Sequence, residues 1–122
     1  MRIEKELMRG AGPLAVLKAL EGGEKYGYEL VTALARRSEG LLAMGESTLY
    51  PLLYNLEAKG LIASRWREAE SGRKRRYYRL TRRGTAQLAA KSAQWTALTR
   101  VMQSLGIVGG AAPSQPAAEG AA

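Results

Sequence analysis

Apolar positions along the 122-residue chain fall into several helix-spaced stretches and one alternating stretch, separated by glycines. Residues 47–62, STLYPLLYNLEAKGLI, place Leu49, Leu52, Leu53 and Leu56 within one arc of a helix of about 3.6 residues per turn. The opposite side collects Ser47, Pro51, Tyr54, Asn55 and Ala58, flanked by Thr48 and Tyr50, and carries no charge. Ser47 or Thr48 is predicted to cap this helix, which puts Pro51 in the first turn or at its edge, where a missing N–H costs little. Lys59-Gly60 is predicted to end it, with the glycine in the left-handed conformation.

Upstream, residues 1–12 read as a short arm, with Ile3, Leu7 and Met8 at helical spacing. Pro13 is predicted to open a buried helix through Leu14, Val16, Leu17 and Leu20, stopped by Gly22-Gly23. KYGYELVTALARR repeats Tyr26, Leu30 and Leu34 every four residues and predicts a second helix, followed by a turn with a very short strand at Leu41-Leu42-Ala43. Beyond Gly60, LIASRWRE and RRYYRL are extended runs around a Ser-Gly turn, a hairpin in which Tyr78 and Leu80 share a face. Thr81 is predicted to cap a last helix from Arg82 to Leu105, with Leu88, Trp95, Leu98, Met102 and Leu105 at heptad spacing. An apolar stripe that the chain has nothing left to cover calls for a second copy. Residues 109–122 are low-complexity sequence expected to be disordered. The expected organisation is 1–80 with the arm, 81–108 as a dimerisation helix, and 109–122 as a tail.

Charge turns this pattern toward a partner. Of a net +8, most lies between Arg65 and Arg83, where nine Lys/Arg face only Glu68 and Glu70. So localised a field suits a polyanion. With no Cys, no His and every acid a Glu, disulfides, thiolate or imidazole metal sites and His-based catalysis are excluded, and no catalytic constellation or cofactor motif recurs. No apolar run approaches the roughly 18–20 residues of a bilayer span and no cationic leader precedes the domain, so the expectation is a cytoplasmic protein with no membrane partner.

Three helices followed by a basic hairpin is the order of a winged helix-turn-helix, mostly α with a small β hairpin (α+β). The 47–59 helix occupies the slot that enters the major groove of duplex DNA. Tyr54 and Asn55 belong to its outward face, and the cationic hairpin supplies phosphate contacts. An architectural or RNA-binding role uses the same charges and stays open.

YGYEL at 26–30, STLYPLLYNLE at 47–57, KGLIASRW at 59–66 and GRKRRYYRLTRRG at 72–84 resemble, in order and spacing, the signature segments of the PadR family of bacterial transcriptional regulators. The resemblance covers roughly residues 10 to 90. It implies a homodimeric winged-helix repressor of the compact branch, bound to a pseudo-palindromic operator and released by a small hydrophobic or aromatic ligand. By position it implies that Tyr28 touches the DNA backbone, that Ser47, Thr48, Tyr50 and Pro51 begin the recognition helix, and that Arg73, Lys74 and Arg75 stand at the wing tip. The family often has a glycine directly before the threonine, where this chain has Ser47. In some compact relatives an aromatic residue on the last helix stacks planar ligands at the dimer interface. That makes Trp95, bordered by Leu14, Ala15, Val16 and Lys18, a candidate ligand platform; interface core is the other reading of the same tryptophan.

Overall fold

A computed structural model describes residues 1–109. The elements are α1 (Lys5–Leu20), β1 (Lys25–Tyr26), α2 (Gly27–Arg37), α3 (Glu46–Ala58), β2 (Ile62–Glu68), β3 (Lys74–Leu80) and α4 (Arg82–Ser104). The strands form one antiparallel sheet in the order β1-β3-β2, so the architecture is α+β. The chain divides into two units inside α4, between Ala89 and Ala90, and not at the expected 80/81 boundary. From residue 110 onward the tail expected at 109–122 lies outside the described residues.

In the first unit, α1, α2 and α3 bury their leucine faces against one another and against the base of the hairpin. Val16, Leu30, Leu49, Leu53 and Ile62 are its most deeply buried large side chains. The helix α1 differs from expectation: it starts at Lys5 and runs through Pro13, absorbing most of the predicted arm. Proline removes the hydrogen bond to the Arg9 carbonyl but does not stop the helix. Once the turns through Val16, Leu17 and Leu20 are anchored in the core, each further turn needs no new nucleation.

Tyr26 also departs from its predicted helical place. It lies in β1, opposite Tyr77 of β3, and serves as N-cap of α2, with the Glu29 carboxylate accepting its backbone N–H at 3.1 Å. No strand forms at 41–43. That segment is a turn held by Ser38 Oγ, which donates to the Leu34 carbonyl (2.7 Å) and accepts the Leu42 N–H (2.8 Å).

A Schellman pair closes α3: Leu61 N–H reaches the Leu56 carbonyl (3.0 Å) and Gly60 N–H the Glu57 carbonyl (2.9 Å), with Gly60 at φ +77°. The chain then turns into the hairpin, whose register runs from Ile62 opposite Leu80 to Glu68 opposite Lys74. At its base, Thr81 does three things. Its N–H donates to the Leu61 carbonyl (3.1 Å), its hydroxyl donates to the Gly60 carbonyl (2.7 Å), and the same oxygen accepts the Gly84 N–H (3.0 Å), capping α4.

Leu88, expected at a dimer interface, belongs to the core of the first unit at 4 % exposure and has no surface to offer a second copy. The first turns of α4 close the winged domain, and the unpartnered stripe begins only beyond them. In the second unit Trp95 (41 %), Leu98 (48 %) and Leu105 are exposed and Met102 is half-buried. Leu105 falls just past the last helical residue, where Ile107 N–H bonds to the Met102 carbonyl (2.9 Å) and Gly106, at φ +79°, ends α4.

Candidate nucleic-acid interface

Burial of Leu49, Leu53 and Leu56 leaves Ser47, Thr48, Tyr50, Pro51, Tyr54 and Asn55 exposed on α3, as the leucine spacing predicts. Among the described residues none of these side chains is engaged in a hydrogen bond, so their hydroxyl, amide and phenol groups are available to an outside partner. The start of the helix corrects the expectation. Gly45 is the N-cap, without a side-chain cap, so Ser47 and Thr48 sit inside the first turn and Pro51 in the second. The proline deprives the Ser47 carbonyl of its intrahelical donor and leaves an exposed acceptor beside the two hydroxyls. Glu46 joins the exposed first turn, so this end of the face carries one negative charge that favours the helix dipole and opposes a phosphate.

Tyr50 owes its position to Gly27. A Cβ built on Gly27 would overlap the Tyr50 hydroxyl, so the first residue of α2 must be glycine for the phenol to lie across it, next to the exposed Tyr28. Gly27→Ala is expected to leave the fold standing, because the far end of a side chain can swing away, while displacing Tyr50 from the candidate interface. Duplex-DNA affinity should drop by about tenfold with a melting temperature close to the parent's; full affinity in a binding titration would remove Tyr50 from the contact surface.

The hairpin tip is Ala69–Arg73, closed by Ala69 N–H to the Arg73 carbonyl (2.8 Å), with Gly72 at φ +88°. Arg73 and Glu70 are exposed there, and Lys74 and Glu68 are exposed where the strands begin beside it. Arg75 is not at the tip: it is half-buried, its guanidinium lies 4.5 Å over the Tyr26 ring, and among the described residues its Nε is buried without a partner. Directly opposite, Arg67 stacks 3.8 Å over Tyr77, whose ring meets Tyr26 edge-on at 5.3 Å. Two like charges facing each other across strands are tolerated because aromatic faces and one carboxylate screen them.

That carboxylate is Glu24, which accepts a hydrogen bond from Arg65 Nη2 (2.8 Å) and forms an ion pair with Arg67 Nη1 at 3.1 Å. The hydrogen bond from Arg65 holds its carboxyl below the ordinary value of 4.5, and burial opposes the shift. A carboxyl with a depressed folded-state pKa adds stability above its unfolded value, which is lost as pH falls through the folded one. Glu24→Gln is therefore expected to lower the melting temperature at neutral pH, the gap to the parent closing in strong acid. A gap that persists there would assign Glu24 a role other than its charge.

A second carboxylate joins α3 to the hairpin. Glu57 accepts from Ser64 Oγ (2.7 Å) and Arg76 Nη2 (3.4 Å), and Arg76 Nε donates to Ser64 Oγ (2.9 Å). Neither Glu24, Glu57 nor Gly27 stands out as a site residue in the sequence; the one usable signal was a glycine wedged between two tyrosines at a helix start.

The residues expected to border a ligand are placed differently from one another. Leu14 and Ala15 are half-buried against the core, and Lys18 is exposed and pairs with Glu21 at 2.6 Å. Val16 is 0 % exposed and is corrected to a core residue.

The family described as Transcriptional regulator PadR-like matches residues 16–90. The chain belongs to the PadR family. It is similar to the transcriptional regulator Rv3488 of Mycobacterium tuberculosis, 38 % identical over 84 residues that make up 69 % of this chain and 75 % of that protein. Among solved structures, a PadR family transcriptional regulator from Eggerthella lenta is 39 % identical at a TM-score of 0.71, covering 82 % of this chain and 85 % of that one. A PadR-like transcriptional regulator from Bacillus cereus is 29 % identical at a TM-score of 0.74, covering 83 % and 96 %. This PadR-family chain is a DNA-binding transcriptional regulator and not an enzyme. Among the described residues no helix is long and apolar enough to cross a membrane, and no group of acidic residues is placed to hold a metal ion.

Proposed function

We propose that this PadR-family chain is a cytoplasmic homodimeric repressor that seats α3 in the major groove of a pseudo-palindromic operator. The reading rests on one observation: α3 turns a bulky but almost uncharged face outward, beside a hairpin tip that presents Arg73 and Lys74. Small hydroxyls, the Asn55 amide and phenols at that face contact base edges and sugar–phosphate, and the wing cations add affinity without sequence information. Tyr28, at the start of α2, meets the DNA backbone. In a two-fold dimer the half-sites lie about one helical turn apart, roughly 34–36 Å.

Fluorescence anisotropy with the duplex upstream of the protein's own gene, a shuffled duplex and single-stranded RNA tests this reading. A preference of about a thousandfold or more for the upstream duplex at moderate salt is expected. Equal binding to all three would assign the chain an architectural or RNA-binding role instead.

A planar hydrophobic molecule held between the Trp95 rings of the two copies releases the operator. The support is Trp95 itself, a large exposed ring on an apolar helix stripe. In a Trp66→Phe background Trp95 is the lone tryptophan, and its emission is expected to be quenched by planar aromatic compounds; an unchanged spectrum across a panel of them would assign Trp95 to interface core.

A further inference from the structure

Trp66 is 64 % exposed on β2, and neither the core nor the wing-tip cations account for it. Its face of the hairpin is defined by register. Alternation puts Ile62, Ser64 and Trp66 of β2 on the same side as Arg76, Tyr78 and Leu80 of β3. At the base, Ile62 and Tyr78 enter the core. One step along, Ser64 is tied to α3 through Glu57. Trp66 follows at about 7 Å beyond Ser64 along the strand. The indole therefore stands on the α3 side of the wing, between the recognition helix and the hairpin tip.

Its cross-strand neighbour, Arg76, lies 6.0 Å from the ring and is oriented by Glu57 and Ser64. The Arg76 guanidinium thus ties the wing to α3 beside the indole. On this face Trp66 has Arg76 opposite it and, one step toward the tip, Lys74 and Glu68 facing each other across the strands. An exposed aromatic beside a net positive charge meets the chemistry of a nucleic-acid backbone, in which apolar sugar faces alternate with phosphates.

We propose that Trp66 packs its ring against deoxyribose on the phosphodiester strand that separates the groove filled by α3 from the groove reached by the wing tip. The indole N–H, which has no partner among the described residues, donates to an adjoining phosphate oxygen. This contact rests on the placement of α3 in the major groove and extends that interface along the wing. Being made to the backbone, it is formed on any duplex sequence. It buries apolar surface without neutralising a phosphate, so it adds affinity while leaving the salt dependence unchanged.

The test uses the full chain carrying Trp95→Phe, in which Trp66 is the only tryptophan, and random-sequence duplex DNA at low salt. Binding is followed by anisotropy of labelled DNA, and shielding by acrylamide quenching of Trp66 emission. Saturating duplex is expected to cut quenching several-fold. In the otherwise native chain, Trp66→Ala is expected to weaken duplex binding about tenfold with an unaltered salt slope, and Trp66→Tyr to restore most of the loss. Melting curves of these variants, matching the parent's, separate contact from folding.

Unchanged quenching on a bound duplex would overturn the contact and leave the DNA-binding interface intact. Trp66 already shielded in the free protein would overturn it too, by assigning the ring to a contact between copies. A duplex bound through α3 is the common premise: absence of any anisotropy change would defeat that premise, an outcome distinct from DNA bound without shielding.

Discussion

Gly84→Ala is expected to be among the most damaging single-methyl substitutions in the chain. A Cβ at residue 84 would overlap the carbonyl oxygen of Leu61 and press on Leu80 Cδ2 at 3.1 Å. Leu61 is backbone in a crowded corner, joined to Leu56 on one side and Thr81 on the other. It cannot swing aside as a side chain can. Relief requires lifting the first turn of α4 off the hairpin base, which breaks the Thr81 cap and withdraws Leu88 from the core. A loss of about 3 kcal/mol or more follows, and a fall in melting temperature of roughly 10–20 °C. Thr85→Ala is the control, since it removes only an exposed hydroxyl bonded to the Thr81 carbonyl at 3.2 Å and should stay within a few degrees of the parent. Equal melting of the two variants would show that the corner around Leu61 gives way to the added methyl.

Leu98→Glu is expected to split the proposed dimer. Leu98 is 48 % exposed and lies three residues after Trp95 on α4. In a lone chain a carboxylate at such a site is harmless. In a symmetric pair the same substitution brings two carboxylates into an apolar seam, where desolvation and repulsion oppose association. Light scattering should report a monomer for the variant and a dimer for the parent. Operator affinity should fall by about a hundredfold or more, because two half-sites are then engaged independently. A variant that remains dimeric would move the interface away from this stripe.

Sequence spacing leaves the course of α1 and the place of Arg75 open. Pro13 carries a strong local signal for a helix start, yet α1 runs through it because Val16, Leu17 and Leu20 anchor the following turns in a core shared with α2, α3, both hairpin strands and the first turns of α4. Arg75 sits in a run of four cations and resembles a tip residue, but the tip closes earlier, at Arg73. Its guanidinium then lies over the ring of Tyr26, which comes from a segment far away in sequence. Leu88 shows the same limit: heptad spacing identifies an apolar stripe on a helix without saying which part the chain itself covers.

By itself the sequence determined the order of helices and hairpin, the buried arc of α3 with its exposed opposite face, the Gly60 stop and the Thr81 cap. These depend on periodicity and on local backbone chemistry, which act within a few residues. Only the tertiary structure decided that Gly27 makes room for Tyr50, that Glu24 and Glu57 hold the arginines of the wing, that Gly84 admits the Leu61 carbonyl, and on which side of the hairpin Trp66 stands beside α3. Each of these joins groups distant along the chain, and no spacing rule contains the packing that brings them together.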